Sequence, residues 1–487
     1  MGLAGCSLAL DPDPSMLGGP DSDGSVETDA GQDGGSADAS AVDAGTVDAG
    51  AVVDASGPDA PGPIDSGVDA PPPPEDAGCT MAPACIDGVV RTCEGDTSCP
   101  LGCAPGGEAR CAEMQPSNVT PDLWLDGAGD LVVPGHESTH FNTSTCALPG
   151  ADTRTVDQTG AGPEVCVLMV RNLTVQADGY VLVQGSRPLV IMATGDVWVQ
   201  SDAVIDASAY GAAPGPGGAG GGGFLRHQKD GSGDGGGEAG EHRGSFDDGG
   251  GGGGGFCGDG GDGGDGGSAG GGAGGGAQTV ERLIPLRGGS GGGSGNGARG
   301  NVGVGGAGGG ALQISALGSI RVDGFIVAAG GGGQGGGGDT RLGNWGGGGG
   351  GGSGGGVLLE APTVTVSGAI TATGGGGGGG GGDGVSVEAG EDGWNPMNRL
   401  NTLNRAAGGS SGSGEYGAAG GRSGGGATLD GEDGETNDGD GTNGGGGGGG
   451  VGCVVYRTLD GELPAGARPR TSGRVPPSLQ NDRILLR

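Results

Sequence analysis

Residues 136–140 read His-Glu-Ser-Thr-His, a match to H-E-x-x-H. In zinc peptidases that spacing works on a helix, which brings both imidazoles to one face and sets the glutamate beside a metal-bound water. Here Pro134 and Gly135 precede His136, and Ser, Thr and Asn surround His140, residue types that favour strand and turn. On a strand the two histidines would share a face but lie about 13 Å apart, too far for one zinc. No H-x-x-G-x-x-H follows to supply a third ligand. His136 and His140 are therefore expected in a strand near an N-terminal cap, and a zinc peptidase stands as the enzymatic alternative.

Calcium chemistry is the second candidate. GDGGDGGDGG carries Asp259, Asp262 and Asp265, and DGEDGETNDGDGTNGG carries Asp433, Asn437, Asp438, Asp440 and Asn443. Calcium takes several oxygen ligands on a flexible turn. The first patch lacks the apolar residue of a calcium-binding nonapeptide, and the second lacks the bidentate glutamate of an EF-hand. Solvated loops with weak calcium binding are expected, and no other cofactor. The serine and cysteine nucleophile motifs are missing as well.

These residues must be positioned by strands. Ile191–Val199, Ile314–Val322 and Leu359–Val366 superimpose, so that Val197/Val199, Ile320/Val322 and Val364/Val366 correspond. An earlier copy runs from Cys166 to Gly185, and a fragment of another begins at Gly450. Alternation with period two marks half-buried strands. Short strands recurring with small corners predict an all-β fold, a right-handed parallel β-helix interrupted by long glycine-rich loops; an antiparallel sandwich is the alternative. Cleavage of polysaccharide on such a scaffold needs gathered carboxylates. Aligning the rungs sets Asp323 beside Gln200 and Ser367, and Asp206 beside Val327 and Thr371, so no acidic cluster forms. A non-enzymatic protein is expected, with a polysaccharide-cleaving β-helix as a further alternative.

Glycine accounts for 136 of 487 residues, and a solenoid tolerates its long runs as excursions at a corner. The blocks have local period three, as in a polyglycine II helix, and their GGX repeats resemble those of glycine-rich antifreeze proteins. Partly ordered packing is expected, with the islands at Thr279 and Asp392 folding back onto the coil. The 59 acids against 22 bases give a net charge of -37, which repels phosphate backbones and excludes nucleic acid as a partner.

Eleven cysteines point to an oxidising compartment. Ten are disulfide candidates: Cys79, Cys85, Cys93, Cys99, Cys103, Cys111, Cys146, Cys166, Cys257 and Cys453. Connectivity among the first six stays open, and elimination pairs Cys146 with Cys166 and Cys257 with Cys453. The eleventh, Cys6, ends Leu3-Ala4-Gly5-Cys6, which resembles a bacterial lipobox. The basic and apolar regions of a signal peptide do not precede it, so the expected translation start lies further upstream. Residues 7–78 hold sixteen acids and no Lys or Arg, the composition of a disordered, self-repelling tether.

Such Asp-Ala-Gly-Pro spacers behind a lipobox resemble those of myxobacterial surface lipoproteins, as do GVVRTC and CPLGC in the following Cys-rich module. The resemblance implies a structural or adhesive lipoprotein lipidated at Cys6, held in the outer membrane of a bacterial cell envelope. It would face extracellular polysaccharide or a neighbouring cell. A polysaccharide- or ice-binding protein is the other non-enzymatic reading. The expected layout is a residual signal at 1–6, the tether at 7–78, the disulfide module at 79–113, and a linker with β cap at 114–164. The β-helix follows at 165–456 with insertions at 211–310, 330–356 and 374–450, and an Arg/Pro-rich tail closes the chain at 457–487.

Overall fold

Alternating apolar residues give each strand one face to bury, and three sheets collect those faces. A computed structural model describes residues 82–104, 109–125, 127–223, 229–243, 247–278, 283–297, 302–339, 344–382, 405–412, 417–425, 428–437, 442–464 and 479–486. Among them no α-helix occurs, and one 3-10 turn spans Pro121–Leu123.

Sheet 1 has seven strands, in spatial order Leu479–Arg483, Cys453–Thr458, Gly356–Glu360, Ala311–Ala316, Leu189–Ala193, Val165–Val170 and Asp152–Val156. Sheet 2 has five: Thr363–Val366, Ser319–Val322, Val197–Val199, Leu173–Val175 and Leu131–Val133. Sheet 3 also has five: Ala369–Thr371, Phe325–Val327, Val204–Asp206, Tyr180–Gln184 and Ser138–Asn142. Within these sheets every pairing is parallel except Asp152–Val156 against Val165–Val170. From Val165 the chain visits sheets 1, 2 and 3 in that order, and repeats the circuit from Leu189, Ala311 and Gly356.

The expected alignments hold residue for residue. Val197 pairs with Ile320 and Ile320 with Val364; Asp206 pairs with Val327 and Val327 with Thr371. Leu168, Ile191, Ile314 and Leu359 of sheet 1 meet Val199, Val322, Ile205 and Ile326 in one apolar core. Each such side chain, fully buried, contributes about 1.5–3 kcal/mol. Sheet 1 is buried on its other face too. There Val119, Leu123, Phe256, Leu283 and Leu286 cover Val167, Val190, Leu358 and Val455. The island following Thr279 thus packs onto the sheet through Leu283 and Leu286, while the one from Asp392 lies outside the described residues except for its last residue, Arg405, which bonds to Ser423 O and Glu432.

The return from sheet 3 to sheet 1 is short after Gln184, but it holds the glycine-rich stretches after Asp206, Val327 and Thr371. In their described parts these stretches are not loops. They run as extended segments that hydrogen-bond to a different neighbour at each successive residue, returning to the same neighbour every third residue. Gly249, Gly252 and Gly255 donate to Glu241, Glu238 and Gly235; Gly250 and Gly253 donate to Gly264 and Gly261; Gly251 and Gly254 donate to Gly348 and Gly351. Threefold symmetry is that of a polyglycine II helix, which has no internal hydrogen bond and can be held only by its neighbours. The stretches therefore build a polyglycine slab, the ordered packing expected from their period of three, at the positions expected to hold insertions.

Three segments in the slab are surrounded on all sides and touch one another: 249–255, 347–354 and 444–452, one from each insertion. They run parallel and bond in a cycle. Gly251 donates to Gly348 (2.9 Å), Gly348 to Gly444 (3.0 Å), and Gly447 back to Gly251 (2.9 Å). Glycine is required here for close approach, since φ is not positive at these positions. A Cβ on Gly350 or Gly447 would fall on the carbonyl oxygen of Gly252 or Gly261.

The parallel strands reach further in both directions than 165–456. Leu131–Val133 and Ser138–Asn142, expected in a linker and cap, already belong to sheets 2 and 3. In the C-terminal tail, Leu479–Arg483 joins sheet 1 and Leu485–Leu486 pairs antiparallel with Met114–Gln115. The Cys-rich module forms a three-stranded antiparallel sheet, Ala84–Ile86, Val89–Thr92 and Gly95–Ser98. Its first hairpin turns on Asp87-Gly88, both at positive φ (52° and 73°), as a two-residue turn of this hand requires.

Candidate functional site

Leu131–Val133 ends at Pro134, and Gly135 and His136 make the turn into sheet 3. His136 has φ 60°, and its ring faces Asp178 at 3.9 Å in open solvent. His140 follows on the strand Ser138–Asn142, exposed and paired with Leu182. The helix that would carry both imidazoles to one metal is not formed. Among the described residues no three His, Cys, Asp or Glu side chains are grouped to hold a metal ion.

The calcium candidates are scattered. Asn443 is fully buried in the slab, its amide nitrogen donating to the carbonyl of Gly381 (2.6 Å). Asn437 donates its backbone N–H to Asp265 O (3.0 Å), and Asp438 and Asp440 lie outside the described residues. Asp433 belongs to an ordered edge. The N–H groups of Asp259, Asp262 and Asp265 donate to Asp430 Oδ1, Asp433 Oδ1 and Thr436 Oγ1 (2.9, 2.9 and 3.2 Å). The carboxylates of the same three aspartates accept from Ala277, Gly274 and Gly271 at 2.5, 2.7 and 2.8 Å. An outer polyglycine segment has a neighbour missing, and its N–H groups face water. A carboxylate at every third residue supplies the missing acceptor through charge-assisted bonds. The expectation of solvated loops is corrected here: this is a regular acidic rim.

Two acids on the stacked sheets have contrasting environments. Asp206 on sheet 3 is fully buried and accepts from Tyr180 Oη (2.5 Å) and Ser208 N (2.9 Å). Burial pushes its carboxyl up, against those hydrogen bonds, and also raises the Tyr180 and Tyr210 phenols. Asp323 stands at the exposed end of sheet 2, where Ser367 Oγ donates to it and holds its carboxyl down. It also accepts from Trp198 Nε1 (2.9 Å) and pairs with Arg321 (2.6 Å), whose guanidinium lies 5.1 Å from the Trp198 ring centre. The predicted neighbour Ser367 is thus a direct partner, and the two acids remain apart.

One polar cluster escaped the sequence reading. On the covered face of sheet 1, Glu360 accepts from Gln313 Nε2 (2.9 Å), Ser315 Oγ (2.8 Å) and Ser117 N (3.2 Å) and faces Arg457 at 3.5 Å. Arg457 also donates to Ser117 Oγ, and both ions are 1 % exposed. Asn118 extends the network, donating to Gln313 Oε1 (2.9 Å) and accepting from Leu286 N (3.1 Å). The register pairs Ser315 with Glu360 and Glu360 with Arg457, so a polar row at one strand position was the available signal.

Disulfides join Cys146 to Cys166 and Cys257 to Cys453, with Cα atoms 5.4 and 5.6 Å apart. In the small module Cys85 joins Cys103 and Cys99 joins Cys111; Cys93 is also bonded. Cys6 and Cys79 lie outside the described residues. Comparison with known proteins finds no matching family model, no matching curated protein and no matching solved structure.

Proposed function

We propose that this chain is a non-enzymatic structural or adhesive lipoprotein of a bacterial cell surface, with its three parallel sheets wound as a right-handed β-helix. Right-handed crossover is the rule for parallel strands, in about 98% of cases. One observation supports the role most. Every backbone amide of the slab's enclosed segments has an acceptor, and Glu360, Gln313, Ser315 and Arg457 on the covered face of sheet 1 bond to one another or to Ser117, leaving an ordered body that offers faces for contact. Acylation at Cys6 would hold it to the outer membrane, and residues 7–78 would carry the body on the order of 200 Å outward if fully extended.

The test is metabolic labelling with an alkyne fatty acid in a bacterial host, comparing wild type with Cys6→Ser, together with protease shaving of intact cells. Label on the wild type alone, and loss of the protein on shaving, are expected. An unlabelled or shaving-resistant wild type would remove the proposal. A polysaccharide- or ice-binding role is a second reading, favoured by the acidic rim, whose carboxylates repeat about every 9 Å along each segment. Glycan-array binding or thermal hysteresis by the purified protein would establish it, and silence in both would discard it.

A further inference from the structure

The three enclosed segments of the slab come from three separate insertions, and 444–452 is the last of them in chain order. Every amide from Gly444 to Gly452 donates outward, at 2.7–3.1 Å, to 248–254, 429–435 or 372–378. Carbonyls from Asn443 to Val451 accept from 348–354, 257–264 and 418–424. Six neighbours thus meet on one strip of backbone, and the strip has almost no side chains of its own.

Remove that strip, and the amides of Gly261, Gly264, Gly348, Gly351, Gly421 and Gly424 lose their acceptors, while the carbonyls of Gly251, Gly254, Gly375 and Gly378 lose their donors. Each such group, left unmet and away from water, carries its full desolvation penalty. Polyglycine offers no apolar burial to offset that loss, and glycine gives up more backbone entropy on ordering than any other residue. Sheets 1–3 depend on a different interaction. Their core is apolar, and their first circuits, from Leu131 to Asp206, are complete before any glycine insertion begins.

We propose that residues 444–452 are the keystone of the slab, and that its three insertions close together in one late step when this segment docks. The first insertion does give 249–255 four neighbours of its own, in 235–241, 258–264, 270–276 and 288–296. Those contacts leave the Gly251 and Gly254 carbonyls facing an open side, so water keeps access to the centre until 447 and 450 arrive. A chain exported from its N-terminus, as the surface reading requires, would keep the slab open until 444–452 emerged. The keystone itself does not depend on that reading.

Refolding of the purified full chain, with disulfides intact, tests the order directly by pulse-labelled amide exchange and mass spectrometry. Peptides from 165–175 and 189–199 should gain protection first, followed by 249–255, 347–354, 418–424 and 444–452 in a single phase. Protection of 249–255 or 347–354 in an earlier phase than 444–452 would overturn the proposal. A native-state comparison gives a second reading. Gly447→Ala sets a methyl on the Gly261 carbonyl, and should speed exchange by about tenfold or more in all six neighbouring segments while sheet peptides stay protected. Loss confined to 257–264, or loss that takes the three sheets with it, would contradict a separate slab closed by one segment.

Discussion

The same chemical change, glycine to alanine, should have opposite signs at two places in the slab. At Gly276 a Cβ meets nothing within 4 Å and φ is not positive, so alanine fits without strain. Reducing the freedom of the unfolded chain then stabilises by about 0.4–1 kcal/mol. At Gly350 the new carbon would lie on the Gly252 carbonyl, which belongs to backbone and cannot swing away like a side chain. Overpacking of this kind costs about 1–3 kcal/mol, and displacing the carbonyl also weakens the bond from Gly293 N to Gly252 O. After the unfolded-state gain is subtracted, Gly350→Ala should destabilise by about 1–2 kcal/mol. Urea denaturation followed by circular dichroism would report the two midpoints, Gly276→Ala above wild type and Gly350→Ala below it. If both variants moved the same way, or Gly350→Ala matched wild type, the account of glycine as a means of close approach between carbonyls would be wrong.

Other consequences can be measured with the same preparation. Asp262→Ala should speed exchange of the Gly274 amide, at a cost of about 0.5–1.5 kcal/mol, and leave the Gly271 amide served by Asp265 unchanged. Glu360→Gln strands the buried Arg457 charge and should cost about 3 kcal/mol in urea denaturation, whereas replacing both residues with apolar ones should cost less. Burial raises the Asp206 carboxyl, so its contribution to stability is full below the ordinary carboxylate value near 3.8 and is lost as pH rises through the raised value. Asp206→Asn should therefore gain Tm relative to wild type as pH rises above about 3.8. Asp130 behaves oppositely: Arg171 holds it down to about 2, and Asp130→Asn should lose its difference from wild type as pH falls from 3.8 towards 2.

The stacked strands were legible because period-two alternation carries its own register. Val197/Val199, Ile320/Val322 and Val364/Val366 could be set side by side, with Asp323 against Ser367 at the corner, before any coordinates. Leu131–Val133 and Ser138–Asn142 were harder to place, because Pro134 and Gly135 break the alternation between them. The glycine runs resisted for a different reason. A run of identical residues has no internal register, and the partners are remote: Asp259 bonds to Asp430 across 171 positions. The period of three in blocks such as 258–276 points to polyglycine II, but it does not say which segments lie side by side. The Glu360 network was hidden because an isolated Glu or Arg in a strand gives no sign of which face is covered.

The slab also sets how this molecule should respond to cold. A conventional core releases apolar surface on unfolding, which raises the heat capacity by about 0.45 cal/K/mol per Å², while exposed amide lowers it by about 0.26. Glycine segments expose one amide and one methylene per residue, so the two contributions largely cancel. Their melting should therefore have a small or negative heat-capacity increment, and their stability should keep rising on chilling where that of an oily core turns over. Differential scanning calorimetry would separate the two as transitions of unlike curvature within one chain.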